Sequence, residues 1–148
     1  MNKIIFFLQS FHIGGAEKVL ITLANQFYKN NYDVKIIVKE KKGKLITILD
    51  KNIEIISLEK NQLKYSILQF IKIIYAQKPD YIYSTIFNMN IYVSIICKIL
   101  KINAKIIVRE SIFLSEKLSQ YSLLSRYFFK FLISWSYNLA DFIIAPSK

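Results

Sequence analysis

The stretch KIIFFLQSFHIGGAEKVLITLANQF, residues 3–27, decides the fold, because two adjacent glycines separate a strand pattern from a helix pattern. Its first part, Lys3–Leu8, is a continuous apolar run of the kind found in strands that are covered on both faces. After Gly14 and Gly15, apolar residues recur every three or four positions up to Phe27, as they do on one face of a helix. The chain contains only 3 glycines, so a pair at this junction indicates a special geometric or binding role.

Outward from this stretch, strand and helix patterns alternate to the end of the chain. Strands separated by helix-length segments imply right-handed crossovers and a parallel sheet. The predicted fold class is therefore α/β, with a doubly wound parallel sheet of about six strands and helices on both faces. The predicted strands are Lys3–Leu8, Asp33–Val38, Ile53–Leu58, Asp80–Thr85, Ala104–Glu110 and Asp141–Ser147, and the predicted helices are Ala16–Phe27, Leu63–Gln77, Asn90–Leu100 and Leu118–Leu139.

Composition limits the class of protein. The chain has 148 residues, 53% of them hydrophobic, and 2 prolines, which is typical of one ordered globular domain. Its net charge of +11 suits nucleic acid, a phosphorylated substrate or an anionic membrane face. No recognition motif accompanies the charge, so no nucleic-acid partner is predicted. The single cysteine, Cys97, excludes an intramolecular disulfide and fits a reducing compartment.

The glycine pair lies where doubly wound folds bind ligands, at the carboxyl edge of the predicted sheet. Glycine there permits a positive φ and a close approach of ligand to backbone, and the amides at the start of the next helix favour an anion such as phosphate. The other interpretation is a tight turn that requires glycine for its geometry alone. Neither G-x-G-x-x-G nor a P-loop is present, so the pattern leaves both interpretations open.

The sequence GGAEKVLITLANQFYKNNYDVKIIV, residues 14–38, resembles the opening of the family 4 glycosyltransferases, which have the two-domain GT-B architecture. The segments KPDYIYST, AKIIVRES and ADFIIAPSK resemble, in order, later strands of that family's N-terminal domain. The resemblance covers the whole chain. It implies that residues 1–148 form the Rossmann-like acceptor-side domain of a retaining enzyme. Such an enzyme transfers a hexosyl or N-acetylhexosaminyl group from a nucleotide sugar to a glycan or lipid-linked acceptor, in bacterial-type synthesis of surface polysaccharides or glycoconjugates.

The resemblance also implies what residues 1–148 lack. In this family a second, C-terminal domain holds most of the nucleotide-sugar donor, so we expect these residues alone to be inactive. Enzymes of this kind are generally metal-independent, and no cluster of His, Cys, Asp and Glu has metal-ligand spacing, so no metal or other cofactor is expected. The alternative function is a stand-alone α/β module that binds a nucleotide or phosphate without transferring sugar.

Roles for individual residues follow from the same resemblance. Gly14 and Gly15 would bring backbone amides near the donor diphosphate, where negative charge develops on the leaving group. Glu110 would be the catalytic residue, near the transferred sugar or the acceptor; its alternative is a solvated carboxylate paired with Arg109. The further candidate contacts to acceptor or sugar are His12, Ser84, Thr85, Asn88, Arg109 and Ser111.

Residues 121–137, YSLLSRYFFKFLISWSY, combine a wide apolar face with a narrower polar stripe. This pattern is compatible with an interfacial helix and equally with a buried one. Members of the resembled family that use lipid-linked acceptors work at the cytoplasmic membrane face. An anionic membrane surface is therefore a candidate partner, and the predicted location is cytoplasmic or peripheral on the inner face of the plasma membrane. The longest uncharged run, Tyr81–Cys97, contains too many polar residues to predict a transmembrane helix.

Overall fold

A computed structural model describes residues 1–58, 63–110 and 122–145 of the chain. Six strands and four α-helices alternate along these residues. The strands are β1 (Lys3–Leu8), β2 (Asp33–Val38), β3 (Glu54–Ser57), β4 (Tyr81–Thr85), β5 (Lys105–Arg109) and β6 (Phe142–Ile144). The helices are α1 (Gly15–Lys29), α2 (Leu63–Gln77), α3 (Phe87–Ile99) and α4 (Leu123–Asn138), and a 3-10 turn, Lys44–Ile48, lies between β2 and β3.

All six strands are parallel and form one sheet in the order β3-β2-β1-β4-β5-β6. The chain winds outward from β1 in one direction through β3, and then returns to add β4, β5 and β6 on the other side. The winding direction reverses between β1 and β4, and doubly wound folds bind ligands outside the carboxyl ends of the strands at such a point. The predicted doubly wound α/β fold is confirmed.

The centre of the sheet is buried on both faces, and its central strand β1 is accordingly apolar at successive positions, whereas the edge strand β6 is exposed. In β1, Ile4–Leu8 are all buried. Phe6 and Leu8 pack on the side of α1, whereas Ile5 and Phe7 pack on the side of α2 and α3. This division explains why the first strand has no polar position in its interior.

Among the described elements, α1 and the 3-10 turn cover one face of the sheet. Helices α2 and α3 cover the other face, and α4 packs against α3 through Ile133 and Ile91. Helix α1 folds onto the sheet through the buried side chains of Leu20, Ile21 and Ala24, which recur at helical spacing.

Some predicted boundaries differ from the observed ones. Helix α3 begins at Phe87 rather than Asn90, because Ile86 adopts a φ of 76° and turns the chain directly from β4 into the helix. Helix α4 begins after Ser122, whose side chain accepts a hydrogen bond from the Ser125 N–H and so caps the helix. The predicted helical residues 118–121 and strand residues 146–147 lie outside the described part of the chain.

Candidate functional site

Gly14 and Gly15 form the start of α1, beyond the loop that follows β1. Gly14 is the N-cap, and it leaves the first turn without a side-chain cap; the Lys18 N–H donates to the Gly14 carbonyl oxygen at 3.0 Å. Gly14 does not use the positive φ that glycine permits, because its backbone is extended with a φ of −150°. The glycine with a positive φ is Gly43, at 122°.

Gly15 and Gly43 differ in what surrounds them. A methyl group added at Gly15 would meet no atom within 4 Å, whereas one added at Gly43 would overlap the backbone of Phe11 and His12. The fold therefore requires glycine at Gly43, but neither packing nor backbone strain requires it at Gly15. The tight-turn interpretation thus finds no support at Gly15. The space at Gly15 is therefore open, whereas the Glu17 side chain of the first turn lies against Gly14.

The polar residues at the ends of β4 and β5 divide between the two faces of the sheet. Arg109 and Glu110 are consecutive in the chain, so their side chains leave opposite faces. Arg109 lies on the α1 face, where its charge acts on the Tyr83 hydroxyl. Glu110 lies on the α3 face, where it bonds to Asn90.

On the α3 face, Glu110 belongs to a buried hydrogen-bond network. The Asn90 Nδ2 donates to Glu110 Oε1 at 2.8 Å and to the Arg109 carbonyl oxygen at 3.0 Å. The Asn90 Oδ1 accepts from Ser84 Oγ at 2.8 Å. Glu110 is only 6% exposed, so its carboxylate is not solvated as the alternative interpretation expected. Its backbone nevertheless lies at the carboxyl edge, where its N–H donates to the Ile144 carbonyl oxygen at 2.9 Å.

At the ends of β4 and β5 on the α1 face, three buried polar atoms have no hydrogen-bond partner in the described structure: Tyr83 OH, Thr85 Oγ1 and Arg109 Nη1. Thr85 lies opposite Arg109 in the register of β4 and β5, and Tyr83 precedes Thr85 on the same face of β4. Burial raises the pKa of Tyr83, and the nearby charge of Arg109 offsets part of that rise. Buried polar atoms without partners mark places that a ligand can complete.

The strands that lead to the two groups of candidates are separated by one strand. Strand β4 lies between β1 and β5, so the axes of β1 and β5 are roughly 10 Å apart. Gly15 and the three unpartnered polar atoms are on the same face, while Glu110 and Asn90 are on the other.

The remaining predicted contacts lie in different environments. His12 is exposed in the loop after β1, and its backbone N–H donates to Ser10 Oγ at 3.4 Å. Asn88 is exposed in the first turn of α3. Ser84 is fully buried, and its hydroxyl donates to Asn90 inside the protein. Ser111 lies outside the described residues.

Sequence reasoning missed Asn90 and Tyr83. A signal existed for Asn90, since it is a polar residue that begins an otherwise apolar helical run, where an amide is expected to find a buried partner. Tyr83 carried no such signal, because tyrosine is common in buried strands and its hydroxyl matters here only through its neighbour Arg109.

Among the described residues, neither a metal site nor a reactive thiol is found at this edge. Within residues 1–58, 63–110 and 122–145, no three His, Cys, Asp or Glu side chains come together as metal ligands would. Cys97 is buried under the sheet, and burial raises the pKa of its thiol to about 12, which disfavours the reactive thiolate. None of the described helices has the length and apolarity needed to cross a bilayer.

Comparison with known proteins identifies the family. The profile of the family described as Glycosyl transferase 4-like matches residues 4–147. The chain belongs to this family. No curated protein sequence matches the chain.

Solved structures of GT-B glycosyltransferases share the fold of this glycosyltransferase 4-like domain. Sucrose-phosphate synthase from Thermosynechococcus elongatus has a TM-score of 0.71 and 11% identity, over 99% of this chain and 43% of that one. HepE from Anabaena, solved with UDP, has a TM-score of 0.67 and 19% identity, over 98% of this chain and 38% of that one. MurG from Acinetobacter baumannii has a TM-score of 0.63 and 13% identity, over 100% of this chain and 44% of that one.

The chain therefore spans less than half the length of these solved structures. At such identities the likeness shows the fold. The predicted membership in the 4-like glycosyltransferases is confirmed.

Proposed function

We propose that this domain is the acceptor-side half of a retaining glycosyltransferase, which moves a hexosyl or N-acetylhexosaminyl group from a nucleotide sugar to a glycan or lipid-linked acceptor. The observation that carries the proposal is the unobstructed space at Gly15, at the start of α1, where the flexible Glu17 side chain against Gly14 would have to move for a diphosphate to bind. The similar HepE structures, solved with UDP and with UDP and glucose, support a nucleotide-sugar donor. A second domain, which residues 1–148 do not include, would hold most of that donor.

The proposed pathway is bacterial-type synthesis of surface polysaccharides or glycoconjugates, in the cytoplasm or on the inner face of the plasma membrane. A similar solved structure is a lipopolysaccharide outer core galactosyltransferase, WaaB, with a TM-score of 0.65 and 14% identity, over 95% of this chain and 38% of that one. Its acceptor class supports a glycan or lipid-linked acceptor for this domain. Nucleic acid is not a proposed partner, and no cofactor is proposed.

In this proposal, the N-terminus of α1 stabilises the donor diphosphate. The first-turn amides point out of the helix and carry a partial positive charge. When the bond between the anomeric carbon and the diphosphate oxygen breaks, negative charge grows on the leaving diphosphate. The amides therefore stabilise the transition state more than the bound donor, which is the requirement for catalysis. Gly15 permits the approach because it has no side chain in the way.

The unpartnered groups on the α1 face would bind the phosphate or the sugar hydroxyls. A buried guanidinium nitrogen without an acceptor costs free energy, and a bound anion removes that cost. Arg109 Nη1 is such an atom, and Thr85 Oγ1 and Tyr83 OH are neutral donors or acceptors beside it. In this proposal, these three residues bind the donor or the acceptor and orient it at the edge of the sheet.

Glu110 is the proposed catalytic residue, near the transferred sugar or the acceptor. Asn90 holds Glu110 Oε1, so the position of the carboxylate is set before substrate binds. In Glu110→Gln, the amide oxygen still accepts from Asn90, the side chain keeps its size and the charge is removed. We expect this variant to lower kcat at an unchanged midpoint of thermal unfolding.

The experiment measures nucleoside diphosphate release by the enzyme that contains this domain, with a panel of nucleotide sugars and with soluble or lipid-linked glycan acceptors. We expect acceptor-dependent release, and a product whose anomeric proton coupling shows retention of configuration. Binding of a nucleotide without release for any donor and acceptor pair would favour the stand-alone binding module instead.

A further inference from the structure

The loop between β2 and the 3-10 turn concentrates positive charge. Residues 39–44, with the sequence KEKKGK, contain four lysines and one glutamate, and Lys41, Lys42 and Lys44 are exposed. We call residues 39–44 the lysine loop. A charged loop is often only a solvated surface, so its role depends on how it is held and on what lies beside it.

Backbone contacts hold the lysine loop against the loop that follows β1. The Phe11 N–H donates to the Lys42 carbonyl oxygen at 2.7 Å, and the Phe11 carbonyl oxygen accepts from the Leu45 N–H at 3.0 Å. Phe11 is fully buried, and Gly43 packs directly on the backbone of Phe11 and His12. The lysines are therefore carried by a fixed backbone, which lowers the entropy cost of ordering the loop around a ligand.

The lysine loop lies at the carboxyl edge of the sheet, beside the proposed transfer site. Strand β2 is the neighbour of β1, about 5 Å away, and both strands end at this edge. The loop leads to the 3-10 turn, which covers the same face of the sheet as α1. The strand order thus places the lysine loop on the β2 side of Gly15, whereas Arg109 lies on the β5 side.

The lysine loop lacks the carboxylate partners that lysines elsewhere in the sheet have. Ion pairs near the amino ends of the strands join Lys3 to Asp33, Lys35 to Glu54 and Lys105 to Asp141. Within residues 1–58, 63–110 and 122–145, Lys41, Lys42 and Lys44 form no ion pair. Unpaired cations at the rim of a cleft attract anionic ligands and raise their local concentration.

We propose that the lysine loop binds an acidic sugar unit of the acceptor, one that carries a carboxylate or a phosphate ester. Lysine ammonium groups bind either anion as point charges, so the loop selects for charge rather than for the shape of one group. The inference rests on the proposed transferase function and names its acceptor class. With the donor diphosphate at Gly15, the β2 side of the cleft is left for the acceptor.

Amide chemical shifts of the isotope-labelled full chain measure this binding without any catalysis. The chain is titrated with glucuronate, with glucose 6-phosphate and with glucose, each to about 20 mM. We expect both acidic sugars, or one of them, to shift the amides of residues 39–44 with a Kd of about 1–10 mM, and glucose to leave them unchanged. The response of the two acidic sugars shows which anion is preferred, and high salt weakens it.

A loop variant tests whether the lysines carry the binding. The combined variant Lys41→Gln, Lys42→Gln and Lys44→Gln removes exposed charges and keeps the backbone hydrogen bonds of the loop. We expect its affinity for the acidic sugar to fall by at least about 10-fold at an unchanged midpoint of thermal unfolding, because three charge contacts are lost. Arginine at the same three positions should restore the affinity.

A matched control removes the same charge from the opposite edge of the sheet. The combined variant Lys29→Gln, Lys51→Gln and Lys101→Gln changes exposed lysines that follow α1, precede β3 and follow α3. We expect this variant to bind the acidic sugars as wild type does. A loss equal to that of the loop variant would show that only total charge matters.

The enzyme that contains this domain separates the acceptor from the donor. Octyl glucuronide and octyl glucoside are the acidic and neutral acceptor probes, with a nucleotide-sugar donor. We expect the loop variant to raise the KM for octyl glucuronide about 10-fold and to leave the KM for the donor unchanged. A raised donor KM with an unchanged acceptor KM would assign the loop to the donor and overturn the proposal.

The proposal is also overturned if neither acidic sugar shifts the amides of residues 39–44 while circular dichroism shows a folded chain. Equal shifts with glucose, or equal losses in the loop and control variants, overturn it as well. If the enzyme transfers no sugar with any donor and acceptor, the transferase proposal fails. The titration contains no donor and involves no turnover, so it still decides whether the lysine loop binds acidic sugars.

Discussion

Replacing Asn90 with alanine removes the side chain that joins three groups at the ends of β4 and β5. Asn90 accepts from Ser84 Oγ at 2.8 Å, and donates to Glu110 Oε1 at 2.8 Å and to the Arg109 carbonyl at 3.0 Å. Both Asn90 and Ser84 are 0% exposed, so water does not replace the lost amide without opening the structure.

The expected loss follows from the groups that Asn90→Ala leaves behind. A buried neutral group that loses its partner costs about 1–3 kcal/mol, and a charged group costs more. The Ser84 hydroxyl loses its acceptor and the Glu110 carboxylate loses one donor. We therefore expect the free energy of unfolding to fall by about 3 kcal/mol, a large part of the stability of a typical domain.

Urea denaturation, followed by circular dichroism, measures this loss. Asn88→Ala is the matched control, because Asn88 lies two positions before Asn90 in the same helix but is exposed. We expect the control to change the free energy of unfolding by less than about 0.5 kcal/mol. A loss below about 1 kcal/mol for Asn90→Ala, or equal losses for the two variants, would refute the buried network.

Three further predictions test separate parts of the molecule. Gly15→Val should abolish transfer in the enzyme that contains this domain while changing its stability by less than about 1 kcal/mol; wild-type rates would show that Gly15 does not face the donor. Gly43→Ala should destabilise the chain by more than about 2 kcal/mol in urea denaturation, because of its positive φ and the Phe11 backbone; a neutral effect would contradict that geometry. Burial alone would raise the pKa of Asp141, but the Ile106 N–H and the charges of Lys98 and Lys105 outweigh it and lower that pKa. The ionised carboxylate therefore stabilises the fold above its unfolded pKa of about 3.9, and this contribution is lost as pH falls through the lower folded value. Asp141→Asn should lose about 1 kcal/mol or less at pH 7, and the difference from wild type should shrink at pH 3; a constant difference would remove the carboxylate charge as its cause.

The architecture could be predicted because it depends on the spacing of apolar residues along the sequence. The run Lys3–Leu8 and the helical spacing after Gly15 placed the first strand, the first helix and the glycine pair correctly. Parallel strands all end at the same edge, so the position of Glu110 at the carboxyl edge followed from the strand count alone.

The contacts within the site could not be predicted in the same way. The face on which a side chain leaves a strand end changes with every residue, so Arg109 and Glu110 separate although they are neighbours. Asn90 reaches Glu110 across 20 positions in sequence, from another element. Likewise, an amphipathic pattern does not show which side of α4 is covered; the packing on α3 shows it.

The most direct test of the half-enzyme proposal compares residues 1–148 with the enzyme that contains them, in one assay for nucleoside diphosphate release. Positioning of donor and acceptor in one closed site contributes effective molarities that reach about 10⁵ M or more, and a single wall of the cleft does not provide it. We predict that residues 1–148 unfold cooperatively, bind nucleotide sugars with a Kd of about 1 mM or weaker in calorimetry, and release no diphosphate. The larger enzyme should release it in an acceptor-dependent way. Tight donor binding or steady turnover by residues 1–148 alone would contradict the proposal and indicate a complete site within this domain.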